Sequence, residues 1–408
     1  MELDRVVVVG ASLAGLRAAE ALRTEGFAGE VVVIGAEEHR PYDRPPLSKK
    51  LLAGEWEADR IQLRRPDSFD ELDVEWRLGR TAVAMDLERR AITLDDGTTV
   101  GFDGCVVATG ARCRRLADQE RHRHVHELRS LDDATALRAQ IASGDRHVVV
   151  IGAGFIGLEV AATARALGNR VTVLEGGPAP LVRGLGAEMG AVVGRAHAAE
   201  GVDVRCDVTV ERLDKRGVLL DGGELIESDV VVVGIGVEPN TGWLEGSGVR
   251  TRDGVVCDET LRALSDDGTP IEGLYAAGDV LRWPNPLFDE EMRLEHWTNA
   301  AEQGAAAARN LLAVAADAEP EPYAPVPFFW SDQFAHRIQF LGRSSPDDEV
   351  VVAAGSVDDG KFLALYRSGD RLHGAFGFNA PRWVMKMRSS LADRASWDEA
   401  LGVAGGFS

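Results

Sequence analysis

Apolar residues in this chain fall into short continuous runs, several followed by a glycine-rich turn and an alanine-rich stretch. The four valines at 6–9 form such a run, and β-branched residues in an unbroken apolar block predict a strand. Residues 16–23 then read as a helix, and residues 31–34 (Val-Val-Val-Ile) as the next strand. The same order returns later: a strand at 148–151, a helix at 158–167, a strand at 171–174. Two further apolar strands run from Cys105 into Ala108-Thr109-Gly110 and from Gly273 into Gly278-Asp279. The prolines of Glu319-Pro320-Glu321-Pro322 mark a linker, and a third domain is expected from Tyr323.

The turns in the two strand–turn–helix units carry the chemistry. The first is Gly10-Ala11-Ser12-Leu13-Ala14-Gly15, and the second is Gly152-Ala153-Gly154-Phe155-Ile156-Gly157. Glycines let the chain turn tightly and let the helix pack close. The helix N-terminus then points unpaired N–H groups at a pyrophosphate. The second unit is a complete G-x-G-x-x-G; the first has Ser12 at the middle position, which is small enough to keep the backbone approach. Glu175 ends the strand after the second turn, 18 residues past Gly157, where an acid can accept a ribose hydroxyl. After the first unit, either Glu37 or Glu38 can do the same. One copy alone can be a structural glycine turn. Two copies, each between strands, point to two bound dinucleotides.

Composition narrows the rest. At 408 residues the chain is expected to hold two or three domains. With 66 acidic and 45 basic residues, its net charge of −21 argues against nucleic-acid or anionic-membrane binding. No apolar run is long enough to span a bilayer, and the start lacks the pattern of a signal peptide, so a soluble cytoplasmic protein is expected. Cys105, Cys113, Cys206 and Cys257 form neither C-x-x-C nor C-x-x-x-x-C. That spacing predicts no metal site, no iron–sulfur cluster and no redox-active disulfide. Residues 112–129, rich in arginine and carrying His122, His124 and His126, read as a solvated, mobile connector.

Beyond these features the chain resembles a known family. The stretch Arg40-Pro41-Tyr42-Asp43-Arg44-Pro45-Pro46-Leu47-Ser48-Lys49 carries the likeness, together with Glu295-His296-Trp297 and Phe329-Trp330-Ser331-Asp332-Gln333. It is similar to the FAD-dependent ferredoxin reductases of the putidaredoxin reductase and rubredoxin reductase type, over nearly the whole chain. The resemblance implies an α/β fold like glutathione reductase, with two Rossmann-like dinucleotide-binding domains and a smaller α+β C-terminal domain. It makes the first site an FAD site, closed by Ala108-Thr109-Gly110 and by the Gly278-Asp279 turn. The FAD-binding domain is then interrupted, 1–111 and 241–322, around an NAD-binding domain at 112–240, with a C-terminal domain at 323–408. Electrons are expected to pass from NADH to FAD and then to a small iron–sulfur ferredoxin serving a cytochrome P450 or a Rieske oxygenase. NADH gives two electrons at once and a ferredoxin takes one, which a flavin can reconcile.

The resemblance also assigns residues. Lys49 is placed beside the flavin ring, where a cation steadies the reduced form; the competing account is a solvated surface lysine like Lys50. Glu159, in the first turn of the second fingerprint helix, is placed near the nicotinamide and paired with Lys49. Without that role it is an acid favourable to a helix dipole. Arg44 and Arg129 are candidates for FAD phosphate or ring oxygens. Val83 is similar to a family position whose backbone meets the adenine of FAD. Trp297 is placed at the pyrimidine end of the flavin and Trp330 towards the partner protein, with core packing the competing account of both. Two alternative functions share this body: an NADH oxidase or disulfide reductase, and a redox-sensing interaction protein of the apoptosis-inducing flavoprotein type.

The cofactor assignment has a direct check. The purified protein is expected to be yellow and to release FAD on heating or acidification. Recovery of FMN alone, or a colourless protein that rejects added FAD, contradicts it.

Overall fold

The continuous valine runs become the middle strands of parallel sheets, where both faces are covered and both need apolar side chains. The computed structural model describes residues 2–407, and the chain divides into two units. The first comprises the residues up to Asp43, Gln62–Arg112 and Glu238–Pro325; the second comprises Arg44–Ile61, Cys113–Val237 and the residues from Val326 onward.

Among the described residues, the first unit is built on a six-stranded sheet. Its order is Arg262–Leu264, Pro270–Ala276, Gly104–Val107, Arg5–Val9, Glu30–Gly35, Glu75–Leu78. All neighbours are parallel except the pair Arg262–Leu264 and Pro270–Ala276. Val6, Val7 and Val8 have no exposed surface. The helices Leu13–Thr24 and Trp297–Ala315 pack against each other. They approach so closely that a Cβ on Gly304 would lie 2.2 Å from the Ala14 carbonyl oxygen. A small antiparallel sheet, Ala82–Asp86, Ala91–Leu94 and Thr99–Gly101, completes the core.

The second unit holds a five-stranded parallel sheet ordered Asp203–Arg205, Arg170–Leu174, His147–Ile151, Val230–Val233, Val125–His126. Its last strand corrects one expectation. Part of the arginine- and histidine-rich connector is not a loose link, because Val125 and His126 pair in parallel with Val231 and Val232. The same unit carries an antiparallel sheet ordered Phe328–Gln333, His336–Gly342, Arg371–Phe378, Lys361–Ser368, Glu349–Ser356. The short helices Pro381–Lys386, Arg388–Ala392 and Trp397–Ala404 follow, so the C-terminal part is α+β. Residues 44–61 belong here too. Arg138 pairs with Glu57 at 3.0 Å, and the Thr163 hydroxyl donates to the Ser48 carbonyl at 2.8 Å. The fold class expected from the sequence is thus the one observed.

The fingerprint turns show why their glycines differ in kind. A Cβ on Gly157 would lie 2.2 Å from the Gly152 carbonyl oxygen, and one on Gly15 would lie 1.8 Å from that of Gly10. Backbone stands at both ends of these contacts, so neither can yield cheaply. Gly154 is different: it is the N-cap of Phe155–Ala166, with φ −73°, and a Cβ there meets nothing within 4 Å. Ser12 is the N-cap of Leu13–Thr24 with equally extended backbone. The serine that departs from the glycine pattern therefore sits where a side chain fits and where serine is a preferred cap. Gly157→Ala is expected to cost about 1–3 kcal/mol of stability through overpacking. Gly154→Ser should stay within about 0.5 kcal/mol of the parent. Denaturant midpoints for the two variants test this, and equal losses would contradict the distinction.

Candidate functional site

In the first unit, the strand Arg5–Val9 delivers the chain to Gly10, and Leu13, Ala14 and Gly15 open the helix behind Ser12. Ala108, Thr109 and Gly110 follow the adjacent strand. The Thr109 hydroxyl donates to the Asn240 carbonyl and the Asn240 amide returns a bond to the Thr109 carbonyl, both at 2.9 Å, tying the two crossings together. Gly278 lies two residues past the neighbouring strand Pro270–Ala276 with φ +80°, and its N–H donates to Gln303 Oε1 at 2.9 Å. Gln303 is fully buried, yet its Nε2 has no protein partner. A buried amide left with donors unmatched calls for a ligand or water acceptor. Asp279 follows, its carbonyl accepting from Arg293 at 3.2 Å.

The rest of the first set lies in the same unit. The Tyr42 hydroxyl donates to Glu37 at 2.5 Å and orients that carboxylate, whereas Glu38 is exposed. Val83 falls in a β-bulge: Ala82 pairs with Leu94 and Ala84 with Thr93, so Val83 is left out of the ladder. Its side chain is 47% exposed, and a bulge frees backbone groups for other partners. Trp297 begins its helix and donates from Nε1 to Asp43 at 2.7 Å. Small residues at the turns, the opened backbone at Val83 and the unmatched Gln303 amide fit an FAD.

The second unit supplies the other site. Gly152 leaves the strand His147–Ile151 with φ +99°, Gly154 is exposed, and Ile156 in the first helical turn is 47% exposed. A large apolar side chain beside an open turn fits a surface that a dinucleotide covers. Phe155 is half-buried, edge-on to Phe329 at 4.7 Å. Glu175 reaches back over the turn, accepting from the N–H groups of Ala153 at 2.7 Å and Gly177 at 2.8 Å. This places its carboxylate on the fingerprint itself.

Glu159 is the most constrained group in this unit. Its side chain is 4% exposed and Lys49, 20% exposed, lies 2.5 Å away. The Ser48 hydroxyl donates to the same oxygen at 2.5 Å, and the Ser331 hydroxyl donates to the other at 2.6 Å. Lys49 also donates to the Pro45 carbonyl at 2.9 Å. Lys50, by contrast, is exposed over the Trp56 ring. Arg44 donates to the carbonyl of Arg129, so these two candidates are neighbours. Trp330 stacks on Phe328 at 6.0 Å.

The sequence reading passed over Ser48, Ser331, Gln333, Gln303 and His197. Ser48, Ser331 and Gln333 stood inside quoted motifs, and the alternation of residues 329, 331 and 333 in a strand puts them on one face. No sequence signal marks Gln303 or His197, each one polar residue among several in an alanine-containing helix. Among the described residues there is no metal-binding group and no helix long and apolar enough to cross a membrane. All four cysteines are free, and burial pushes each thiol above its ordinary range.

The chain is similar to known proteins along almost its full length. Residues 4–304 match the pyridine nucleotide-disulphide oxidoreductase family and residues 328–403 match the reductase C-terminal domain. Rhodocoxin reductase of Rhodococcus erythropolis is 37% identical, over 95% of this chain and 89% of that protein. The anthranilate 1,2-dioxygenase system ferredoxin–NAD(+) reductase component of Burkholderia cepacia is 38% identical, over 98% and 96%. The crystal structure of the covalent putidaredoxin reductase–putidaredoxin complex matches with a TM-score of 0.88 at 32% identity, over 96% of this chain and 93% of that one. Two glycine fingerprints, a half-chain of parallel sheet around each, and likeness along almost the full length lead to one conclusion: the chain belongs to the pyridine nucleotide-disulphide oxidoreductase family and carries its reductase C-terminal domain.

Proposed function

We propose that the chain passes electrons from NADH through bound FAD to a small iron–sulfur ferredoxin, which in turn serves a cytochrome P450 or a Rieske oxygenase. The observation that carries this reading is the full-length likeness to proteins named as ferredoxin–NAD(+) reductase components, on a chain with two dinucleotide fingerprints. Four free, separately placed cysteines favour an acceptor outside the chain over an internal disulfide. Thiols kept reduced also suit a cytoplasmic location, which is part of the proposal.

FAD, when bound, supplies the exchange between a two-electron donor and a one-electron acceptor. The protein's part is to bind and orient. Gly10, Ser12, Leu13, Ala14 and Gly15 would hold the FAD pyrophosphate against a helix N-terminus, with Ala108, Thr109, Gly110, Gly278 and Asp279 lining the same cradle. Glu37 is the better-oriented of the two candidate ribose acceptors, because Tyr42 fixes it. Val83 would offer backbone to the adenine, and Arg44, Arg129 and Trp297 would meet the rest of the flavin nucleotide. Gly152, Gly154, Phe155, Ile156 and Gly157 would hold NADH. Lys49 would supply the cation at the flavin ring, with Glu159 keeping its ammonium in one place. Trp330 would face the ferredoxin.

Glu175 makes a prediction about the donor. A carboxylate held on the fingerprint accepts a 2′-hydroxyl and repels a 2′-phosphate. NADH should exceed NADPH in kcat/KM by about tenfold or more, a difference of ~1.4 kcal/mol. Glu175→Ser should narrow that ratio. Equal values in the parent protein would remove Glu175 as the selector.

The acceptor prediction rests on charge. From Tyr323 onward the chain has nine basic and ten acidic residues, close to neutral within a net charge of −21. The helix Pro381–Lys386 buries Val384 and leaves Arg382 and Lys386 exposed. Rim charges mainly set association rate and its salt dependence. The double variant Arg382→Glu, Lys386→Glu should lose ferredoxin-dependent cytochrome c reduction, most at low salt, while NADH–ferricyanide turnover persists. Unchanged ferredoxin turnover would place docking elsewhere.

A further inference from the structure

His197 has no part in the site described so far, yet it is joined to that site. It lies in the helix Val182–Ala199 with 1% of its surface exposed. Its Nε2 is 2.8 Å from Gln333 Oε1, Gln333 Nε2 is 3.0 Å from the Ser331 hydroxyl, and Ser331 donates to Glu159 at 2.6 Å. Donor–acceptor logic gives this chain one direction. A carboxylate only accepts, so the single Ser331 proton goes to Glu159 and the hydroxyl must accept from Gln333. The Gln333 amide nitrogen therefore faces Ser331 and its oxygen faces His197, so His197 must donate from Nε2. The ring's Nδ1 is buried without a partner, so a proton there would be stranded.

The surroundings favour the neutral ring. Burial pushes His197 below its ordinary range, the Gln333 hydrogen bond opposes that, and His336 adds to the downward push. Glu200, just past the end of its own helix, acts in the upward direction. Phe334 closes another side with its ring edge-on at 5.1 Å.

We infer that His197 is a positioning residue for Glu159, acting as a neutral Nε2–H donor that fixes the Gln333 amide and, through it, the Ser331 hydroxyl. The helix Val182–Ala199 and the C-terminal sheet thereby set the direction of a carboxylate on the fingerprint helix. Without the His197 donor the Gln333 amide is free to turn over, present its oxygen to Ser331, and compete with Glu159 for that hydroxyl's proton. The inference rests on the reading of Glu159 as a group that acts when NADH binds and reacts.

The test uses the FAD-loaded protein and has two arms. In the first, 15N-histidine NMR of the parent protein, with His197→Phe used to assign the signal, reports the tautomer directly. A neutral Nε2–H ring is expected at neutral pH and above, because burial lowers the ring's proton affinity. An Nδ1–H tautomer or an imidazolium near neutral pH overturns the inference, whatever Glu159 does. In the second, NAD(+) affinity by calorimetry and the rate of flavin reduction by NADH are measured for His197→Phe, Ser331→Ala and the pair. Each single variant should lower the reduction rate by about tenfold, the scale of one buried hydrogen bond to a charged group. The pair should be no worse than Ser331→Ala alone, and His197→Gln, which retains a donor, should restore most of the loss. Additive losses, or no rescue by glutamine, overturn the chain of action. Glu159→Gln separates the two levels: if it changes neither affinity nor rate, the reading of Glu159 fails and the inference falls with it.

Discussion

Glu159 is a carboxylate with almost no access to water, and that is sustainable only because donors from separate stretches of chain converge on it. Lys49 and Ser48 come from residues 44–61, and Ser331 comes from the C-terminal sheet. An unpaired carboxylate in such a place would suffer the desolvation penalty of a buried charge. The acid sits just past the first turn of the helix Phe155–Ala166, deeper than the sequence placed it, and the helix N-terminus would receive an anionic dinucleotide, so the neighbouring ammonium also limits its repulsion of that ligand. Residues 44–61 and the residues from Val326 onward belong to the same unit as the second fingerprint, and Glu159 is one point where side chains of all three segments meet.

The strand Phe328–Gln333 is the second half of that arrangement. Successive side chains of a strand point to opposite faces. Phe329, Ser331 and Gln333 take one face and meet Phe155, Glu159 and His197 in turn. Phe328 and Trp330 stack on each other from alternate positions. Phe329 also stacks on Phe340 at 5.4 Å, and Phe340 meets Tyr366 at 5.1 Å. The Tyr366 hydroxyl donates to the Leu185 carbonyl at 2.6 Å, next to the break in the helix at Gly186. An aromatic row thus joins the fingerprint turn to the start of the following helix by way of the C-terminal sheet. Trp330 thus lies on that strand between Phe329 and Ser331, which meet Phe155 and Glu159 of the fingerprint helix.

Much of this was legible from residues 6–15 and 148–157 alone, because a buried parallel strand, a tight glycine turn and a close-packed helix each impose local residue types. The open cap position even explains Ser12. The unread part depends on distance along the chain. Ser331 is 172 residues from Glu159, and Gln333 is 136 residues from His197. A serine or histidine looks the same in sequence whether it faces solvent or completes a buried chain. The connector was misread for a related reason: arginines and histidines at 121–124 hid the two-residue strand Val125–His126, whose existence depends on the edge of a sheet formed elsewhere.

The central claim is that electrons enter as pairs from NADH and leave singly to an iron–sulfur protein. An anaerobic titration of the purified FAD-loaded protein tests it directly. One equivalent of NADH should bleach the flavin absorbance, and reoxidation should then consume two equivalents of a one-electron ferredoxin. Flavin that NADH leaves oxidised, or reduced flavin that stays bleached when oxidised ferredoxin is added, would contradict the account.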